Sequence, residues 1–405
     1  MPMPLEGIRV IDWTIWQQGP VATMMLADLG ADVIKIESRD GGDPGRALIS
    51  AGGVDLEAGK VQSAYFEGNN RNKRSLCLDL KQPEAAEIIY KLAAVSDVFA
   101  HNFRKGVAER LHIGYDDLRA HNEQLIYAVA SGYGPEGPDS AEPSFDLMGQ
   151  ARSGLMMAVG DPGSPPLSVQ GGVSDQVGGM VLCHGIMSAI VAKERFGVGQ
   201  RVDTSHLGSM AWMQGLSLSS KLMAGSAHPR MTRTQSWNPL WNSYECQDGT
   251  WLCLAMIQAD RYWADFCRVL EREDMITDER FKDMGVRGQN GQACVAELDA
   301  TFSKRTRADW MERLKNGGDF IYTAVATVDD LPDDPQMVAN DYVVDYEHPT
   351  YGPIKHVGLP IQLSETPGGL HLPAPQHGQH TEEVLTELLG YSWDDVGELR
   401  SKGVL

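Results

Sequence analysis

The sequence has few cysteines, and its basic residues are outnumbered by acidic ones. The six cysteines include no C-x-x-C pair, so we expect buried thiols in a reducing compartment and not disulfides or a zinc site. Lysine and arginine total 35 against 55 aspartates and glutamates, which gives a formal net charge of −20. This charge argues against nucleic acid or an anionic membrane surface as the main partner. A small anionic ligand stays compatible with it, because such a ligand responds to the local field.

The motifs that bind nucleotide phosphates in many α/β proteins are also missing. The first predicted strand is followed by Thr14-Ile-Trp-Gln-Gln-Gly-Pro20 without a G-x-G-x-x-G fingerprint, and no Walker A motif occurs. Their absence argues against NAD and ATP as ligands. The opening residues do not resemble a signal peptide, and no apolar run is predicted to span a bilayer. We therefore expect a cytoplasmic enzyme.

What the sequence does contain is an alternation of strands and helices. Arg9–Trp13 predicts a strand, Val21–Leu29 a helix and Ala31–Glu37 a second strand, which together form a βαβ unit with parallel strands. The alternation continues through Leu125–Ala130 and predicts a doubly wound α/β domain. Ligands bind such sheets beyond the carboxyl ends of the strands.

The composition changes near residue 225. Residues 225–325 predict a smaller α+β domain that contains a hairpin with Asp248-Gly249 at its turn. Residues 1–224 then make the first part of the large domain. The Pro- and Asp-rich segment 326–405 is predicted to return to that large domain.

The stretch Ser168–Val198 places one carboxylate, Asp175, at the start of a long apolar helix. Ser174 and Asp175 are residue types that cap helices, and the residues after them are apolar on nearly every face, which predicts a buried helix. Four nearby glycines leave room for a bulky molecule to approach: Gly171, Gly172, Gly178 and Gly179. The pattern alone leaves two roles open, a helix cap, which is the more frequent, or a nucleophile.

Basic residues are concentrated in three loops. These are Arg39 and Arg46 after the second strand, Arg71, Lys73 and Arg74 before a later strand, and Arg104 and Lys105 after another. If the loops share one edge of the fold, they form a local cationic patch suited to phosphates. Taken singly, each residue is equally compatible with a solvated surface charge.

Seven blocks of the sequence carry a family resemblance. They are Gly7–Asp12 with Gln17–Pro20, Leu29–Glu37 and Gly42–Pro44; Asn70–Lys81; Asn102–Gly106; Phe145-Asp146 with Gln150–Gly154; Asp175 with Gly178-Gly179; Gly197–Asp203; and Gly378–Leu385. In this order they resemble the family III CoA-transferases, which include formyl-CoA and crotonobetainyl-CoA transferases. The resemblance extends over nearly the whole chain.

The resemblance implies an architecture and a reaction. The chain would form an open ring that interlocks with a second copy, or with a homologous subunit. A CoA thioester would be the substrate, with carboxylic acids as partners and no permanently bound cofactor. The carboxylate matching Asp175 would attack the thioester to give a mixed anhydride, then an aspartyl-CoA thioester from which the acceptor acid takes CoA.

Site residues follow from the same resemblance, position by position. Gln17 would lie at the thioester as a second catalytic residue. Phe145, Asp146, Gly178 and Gly179 would contact the substrate. The CoA moiety would lie along Arg39, Lys73, Arg74, Asn102, Phe103 and Arg104. Two positions depart from the family pattern: Lys105 replaces a frequent proline, and Met256–Asp260 replaces the glycine-rich flap of some members.

Other interpretations stay open from the sequence. A CoA-dependent 2-methylacyl racemase of the same fold would need a second acid–base group beside Asp146, where this chain has Phe145. The histidines nearest in sequence, His121 and His184, lie outside that block. A mainly structural subunit and a nicotinamide oxidoreductase are further alternatives. No metal is expected, because His371, His377 and His380 lie in a Pro- and Gly-broken loop without ligand geometry.

Overall fold

The computed structural model describes residues 1–56 and 63–405. Within them the chain forms two compact units. Unit 1 contains Met1–Met156, Ser168–Ala227 and Pro335–Leu405, and unit 2 contains Met157–Leu167 and His228–Asp334. The chain thus leaves unit 1 twice, for Met157–Leu167 and again after Ala227, and it returns finally at Pro335. The sequence predicts changes only at 225 and 326, with residues 1–224 in the large domain throughout.

Strands and helices alternate through the first part of unit 1, whereas in unit 2 two strands precede four helices and a third strand follows them. The strands are β1 Arg9–Trp13, β2 Asp32–Ser38, β3 Ser50–Ala51, β4 Val54–Asp55, β5 Lys73–Leu78, β6 Val98–His101, β7 Ile126–Ser131, β8 Arg201–Ser205, β9 Trp241–Glu245, β10 Trp251–Ala255, β11 Tyr322–Ala324, β12 Val343–His348 and β13 Gly352–Val357. The helices are α1 Gln18–Asp28, α2 Ala64–Asn70, α3 Pro83–Ala94, α4 Val107–Arg110, α5 Tyr115–Arg119, α6 Asp146–Ser153, α7 Leu155–Ala158, α8 Val173–Phe196, α9 His206–Met213, α10 Gly215–Ala224, α11 Ala259–Val269, α12 Met284–Gln289, α13 Gly291–Phe302, α14 Arg307–Gly317, α15 Pro335–Ala339, α16 Thr381–Glu383 and α17 Trp393–Ser401.

A parallel sheet of six strands forms the centre of unit 1. The strand order is β5-β2-β1-β6-β7-β8, and each neighbouring pair is parallel. The predicted doubly wound α/β architecture is confirmed. The order reverses between β1 and β6, which in open α/β sheets is where ligands bind, outside the carboxyl ends of the strands.

Alternating side chains of the sheet enter two separate cores. Val10 and Val98 face one side, where α1 and α8 pack, whereas Ile11 and Phe99 face the other side, where α3 packs. This alternation is the pleat of a strand, and apolar residues on both faces are typical of a parallel sheet covered by helices. The C-terminal segment adds Val396 of α17 to the α3 side.

Helix α8 is apolar but is buried on one side only. Leu182 and Ile186 are fully buried against the sheet, whereas Met180 and Val191 are 43% and 53% exposed. The predicted burial on every face is therefore wrong for the chain by itself. The helix is also long and apolar enough to cross a membrane, although the sequence analysis predicts no such run. Its buried side belongs to the core of unit 1.

Unit 2 is built on a three-stranded antiparallel sheet in the order β11-β10-β9. Strands β9 and β10 form the predicted hairpin, in which Gly249 adopts a φ of 73° at the turn. Phe266, Phe302 and Trp310 of three helices pack together beside the sheet. This core lies entirely within unit 2.

Candidate active site

Asp175 lies in the first turn of α8, as the sequence predicts. Its side chain is 15% exposed and faces a cavity of about 480 Å³. The lining follows the carboxyl ends of four strands: Ile15 after β1, Arg104 after β6, Gly132 after β7 and His206 after β8. The carboxylate therefore lies at the edge of the sheet where ligands are expected.

Asp146 caps the helix that carries Asp175. Its Oδ1 accepts hydrogen bonds from the backbone N–H groups of Ser174 at 2.6 Å and Asp175 at 3.3 Å. Its Oδ2 accepts from Gln150 Nε2 at 2.7 Å. A carboxylate at a helix N-terminus satisfies free N–H groups and complements the helix dipole. Asp146 thus positions the backbone of Asp175, and Phe145 beside it lines the cavity.

His206 is the residue next to Asp175 that the sequence prediction missed. Its Nε2 is 2.8 Å from Asp175 Oδ1, and its Nδ1 is 3.1 Å from Ser144 Oγ. The histidine directly follows β8, and its position at the carboxyl end of a parallel strand is the signal that would have marked it. His121 and His184, the nearest in sequence, are not the histidines in this contact.

Gln17 lies beside the first turn of α8. Its Nε2 donates to Gln176 Oε1 at 3.3 Å, and its side chain covers Gly172, where an added Cβ would lie 2.5 Å from Gln17 Oε1. Gly172 has a φ of 70°, a backbone conformation that glycine adopts readily and other residues rarely. The side chain of Gln17 is thus held next to the helix that carries Asp175.

The loop after β1 is fixed by side chains from two other loops. Asn102 binds Ile15 through both of its amide atoms, with Oδ1 accepting from the backbone N–H at 2.9 Å and Nδ2 donating to the carbonyl at 2.7 Å. Trp16 has a φ of 64°, which is uncommon outside glycine, and its N–H donates to Asp43 Oδ1 at 3.2 Å. The amide of Asn102 therefore holds this loop. Asn102 also lines the cavity that contains Asp175, and its contact with CoA stays a prediction.

A second cavity, of about 450 Å³, adjoins the first. Both are lined by Ile15, Phe103, Val107 and Arg110, so they meet at the point where the strand order reverses. Phe103 stacks on Trp13 with ring centroids 4.1 Å apart. Lys81 and Arg110, which were not predicted, supply positive charge to this cavity.

The predicted basic patch is not formed as one surface. Lys73 and Arg74 begin β5 and lie at the amino edge of the sheet, whereas Arg39 and Arg104 follow the carboxyl ends of β2 and β6. Lys73 is fully buried and pairs with Asp12 at 2.9 Å. Arg74 pairs with Asp32 at 2.6 Å and Glu383 at 2.9 Å. The CoA contacts predicted for Lys73 and Arg74 do not fit these positions.

Arg46 is also engaged within the fold, although it belongs to a loop at the carboxyl edge. Two of its nitrogen atoms donate to the carboxylate of Glu37 at 2.7 Å each. Burial opposes ionisation of Glu37, but the hydrogen bonds and charge of Arg46 outweigh it and lower the pKa of Glu37 to about 2. Arg46 thus stabilises the loop after β2.

Gly178 and Gly179 face helix α1 and not the cavity. An added Cβ on Gly178 would lie 2.7 Å from Gln18 Nε2, and one on Gly179 would lie 2.7 Å from Val21 Cγ1. What approaches these glycines closely is therefore a neighbouring helix. Their predicted substrate contact is replaced by helix packing.

The pKa of Tyr65, in α2, is affected by the same carboxylates. Burial, together with the charges of Asp175, Asp43 and Asp146, raises the pKa of Tyr65. Its hydroxyl is accordingly neutral at physiological pH. Among the residues described, no group of three or more His, Cys, Asp or Glu side chains has the arrangement of a metal site.

Comparisons with known proteins agree on one family. A family model described as CoA-transferase family III matches residues 5–381. The (R)-2-hydroxy-4-methylpentanoate CoA-transferase of Clostridioides difficile is 29% identical over 404 residues, which cover 100% of both chains. The succinyl-CoA:mesaconate CoA-transferase of Haloarcula hispanica is 34% identical, covering 95% of this chain and 96% of its own. A CAIB/BAIF family protein from Brucella suis has a TM-score of 0.84 and 28% identity, covering 96% of this chain and 100% of that one.

Proposed function

The chain belongs to CoA-transferase family III, and from this premise we propose that it transfers CoA to a carboxylic acid through covalent intermediates on Asp175. The observation that carries the proposal is the position of Asp175, partly exposed in a cavity at the carboxyl edge of the sheet. A carboxylate that only capped its helix would point to the backbone. In this chain Asp146 makes that cap, so the side chain of Asp175 is available to react with a substrate.

The reaction follows from a carboxylate nucleophile. Asp175 attacks the thioester carbonyl carbon of the donor, and CoA leaves as a thiolate. The thiolate attacks the aspartyl carbonyl of the mixed anhydride, releases the first acid and forms an aspartyl-CoA thioester. The acceptor acid then repeats the two steps in reverse. Dividing one difficult exchange into several covalent steps lets a weak nucleophile act. Gln17 Nε2 and backbone N–H groups are the candidate donors to developing oxyanions.

CoA extends, in this proposal, from Asp175 along both cavities. The thioester lies in the cavity that contains Asp175, and pantetheine passes Phe103 at the junction. Arg104, Arg110 and Lys81 line this path, and guanidinium groups bind phosphates well. This set replaces Lys73 and Arg74 in the predicted CoA site. Arg39, in the loop after β2, donates to the carbonyl oxygen of Gly403 at 2.7 Å, and its contact with CoA stays a prediction.

A panel of acyl-CoA donors and carboxylic acids tests the function. Succinyl-CoA is the first donor to assay and mesaconate and 2-hydroxy-4-methylpentanoate are the first acceptors, because relatives carry these names. We expect Asp175→Ala to reduce transfer to background. The exposed carboxylate variant Asp116→Ala, in α5, should keep wild-type activity. A CoA adduct on the Asp175 peptide supports the mechanism, and full turnover by Asp175→Ala would rule it out.

His206 makes racemisation the second candidate, because it provides an acid–base group beside Asp175. Racemisation needs two groups on opposite faces of the carbon that exchanges its proton. His206 Nε2 is hydrogen-bonded to Asp175 Oδ1, so both groups would lie on the same face of that carbon. We therefore favour transfer. Deuterium entering the α-carbon of a 2-methylacyl-CoA in D₂O at a catalytic rate, without an acceptor acid, would instead identify a racemase.

A further inference from the structure

His206 connects the proposed nucleophile to the cavity wall at Ser144. The histidine side chain is 5% exposed, and both ring nitrogens have partners, Asp175 Oδ1 at 2.8 Å and Ser144 Oγ at 3.1 Å. The packing around it is close, since a Cβ added to Gly149 would lie 2.8 Å from His206 Cβ. The orientation of the ring is therefore fixed at both ends.

The chemistry of the partners assigns the proton on the ring. An ionised carboxylate can only accept hydrogen bonds, so His206 Nε2 carries a proton and donates to Asp175 Oδ1. In the neutral ring Nδ1 then has the lone pair, which accepts from the hydroxyl of Ser144. The hydroxyl of Ser144 can donate or accept, so it fits the tautomer in which Nε2–H points to Asp175, and the carboxylate is the partner that requires this tautomer.

We propose that His206 is a catalytic hydrogen-bond donor to Asp175 Oδ1, an inference that rests on the covalent mechanism proposed above. In the free enzyme this bond occupies Oδ1 and leaves Oδ2 to attack. A bond forms between Oδ2 and the thioester carbonyl carbon, the C–S bond breaks, and CoA leaves with the electron pair as a thiolate. Oδ1 then becomes the carbonyl oxygen of the aspartyl half of the anhydride.

The donor acts most strongly in the next step. The thiolate sulfur attacks Cγ of Asp175, and the electron pair of the carbonyl moves to Oδ1. The resulting oxyanion forms on the atom that already lies 2.8 Å from Nε2. The carbonyl then re-forms, the Cγ–Oδ2 bond breaks, and Oδ2 leaves with the first acid as part of its carboxylate. A preorganised donor at such an oxyanion contributes about 100-fold or more to the rate.

Three variants separate this role from a structural one. His206→Leu removes the donor, and His206→Gln keeps an N–H near the position of Nε2. His121→Leu is the matched control, because this histidine stacks on Tyr90 away from the cavity. We expect His206→Leu to lower kcat by about 100-fold, with the KM for the acyl-CoA changed less than threefold. The kcat of His206→Gln should be about tenfold higher than that of His206→Leu.

A single-turnover measurement gives the direct readout. With acyl-CoA and no acceptor acid, the CoA adduct on Asp175 should form about 100-fold more slowly in His206→Leu than in wild type, at an equal melting temperature. A rate within threefold of wild type, or a loss that follows the melting temperature and is not recovered by His206→Gln, overturns the proposal. Failure of the covalent mechanism itself would be seen separately, as turnover by Asp175→Ala.

Discussion

Arg74 and Arg104, which were both predicted to bind CoA, have different environments in the folded chain. Arg104 lines the cavity that contains Asp175, whereas Arg74 is held by Asp32 and Glu383 at the opposite edge of the sheet. A guanidinium that binds phosphate contributes a charge-assisted hydrogen bond, which weakens with salt where it is exposed. The two side chains therefore offer a matched test of where CoA binds.

We expect Arg104→Ala to raise the KM for acyl-CoA about tenfold at low ionic strength, and less at high ionic strength. Arg74→Ala should leave that KM within about twofold and act instead on stability, because it breaks ion pairs inside the fold. Steady-state kinetics at two salt concentrations measure both effects. An unchanged KM for Arg104→Ala, or an equal rise for both variants, contradicts the proposed path of CoA.

Some site residues could be predicted from the sequence, and others depend on long-range contacts. For Asp175, the local pattern of small residues before an apolar helix left a helix cap as the more frequent role, and the family resemblance favoured a nucleophile. His206 was missed because it is 31 positions away along the chain and reaches Asp175 only through the pairing of β8 with β7. Lys73 looked like a surface cation, since nothing local shows that Asp12, on another strand, neutralises it in the core.

At the scale of elements, the contact between α1 and α8 determines where Asp175 is held. The two helices approach closely at Gly179, where an added Cβ would lie 2.7 Å from Val21 Cγ1 and 2.9 Å from the carbonyl oxygen of Gln18. A backbone atom cannot move aside as a flexible side chain can. Close packing of α1 on α8 thus keeps Gln17, at the start of α1, beside the first turn of α8, which carries Asp175.

We expect Gly179→Ala to destabilise the protein by about 1–3 kcal/mol, because the overpacking exceeds the gain in helix propensity. Gly397→Ala in α17 is the control, since nothing lies within 4 Å of its added Cβ. There we expect no loss, and a gain of up to about 1 kcal/mol. Urea unfolding of both variants measures the difference. Equal stabilities would mean that α1 and α8 are not in close contact at Gly179.

The glycines of α8 show why element types are easier to predict than element contacts. Gly178 and Gly179 were predicted to contact the substrate, and in the structure helix α1 packs against them. Local sequence cannot say whether a substrate or a helix is the neighbour, because Gln18 and Val21 lie more than 150 residues earlier in the chain. The strands and helices themselves follow from hydrophobic periodicity, which is a local property.

For the whole molecule, the alternation of strands and helices was enough to predict the parallel sheet.

A buried histidine at the carboxyl edge of this sheet makes the stability of the protein depend on pH, which the sequence does not reveal. Burial lowers the pKa of His101 to about 3, and the ring packs among Trp13, Phe99 and Tyr127. In the unfolded chain the histidine has an ordinary pKa of about 6.5, so between pH 6.5 and pH 3 it is protonated there but neutral in the folded chain. Stability from this group is complete above pH 6.5 and is lost as the pH falls from 6.5 towards 3.

We expect the free energy of unfolding to fall by about 2 kcal/mol between pH 7 and pH 5 on account of His101. His101→Phe, which fills the space without titrating, should be less stable at pH 7, because the backbone N–H of Phe103 loses its acceptor. Its unfolding free energy should nevertheless depend less on pH over this range. Urea titrations at the two pH values measure the slopes. Equal slopes in wild type and variant would assign the acid sensitivity to other groups.

The assembly of the molecule is suggested by an apolar surface in unit 1. Helices α9 and α10 expose Trp212, Leu216, Leu222 and Met223, each more than 70% accessible. A cluster of large apolar side chains on one helical segment is typical of a subunit interface. We propose that a second copy of the chain covers this surface, which agrees with the homodimer that the resemblance predicts.

We expect a mass of twice 44.3 kDa by light scattering at micromolar concentration. Trp212→Glu should shift the protein towards the monomer, because a charge buried at an apolar interface without a partner is costly. Val95→Glu, at a singly exposed apolar position after α3, should remain dimeric. If the two chains are interlocked, a dimer can dissociate only when one ring opens. The Trp212→Glu protein should therefore exchange subunits slowly. It should also lose transfer activity as the monomer accumulates. A wild-type protein that is monomeric at these concentrations would exclude the dimer. A Trp212→Glu protein that stays dimeric and fully active would mean that the subunits meet at another surface.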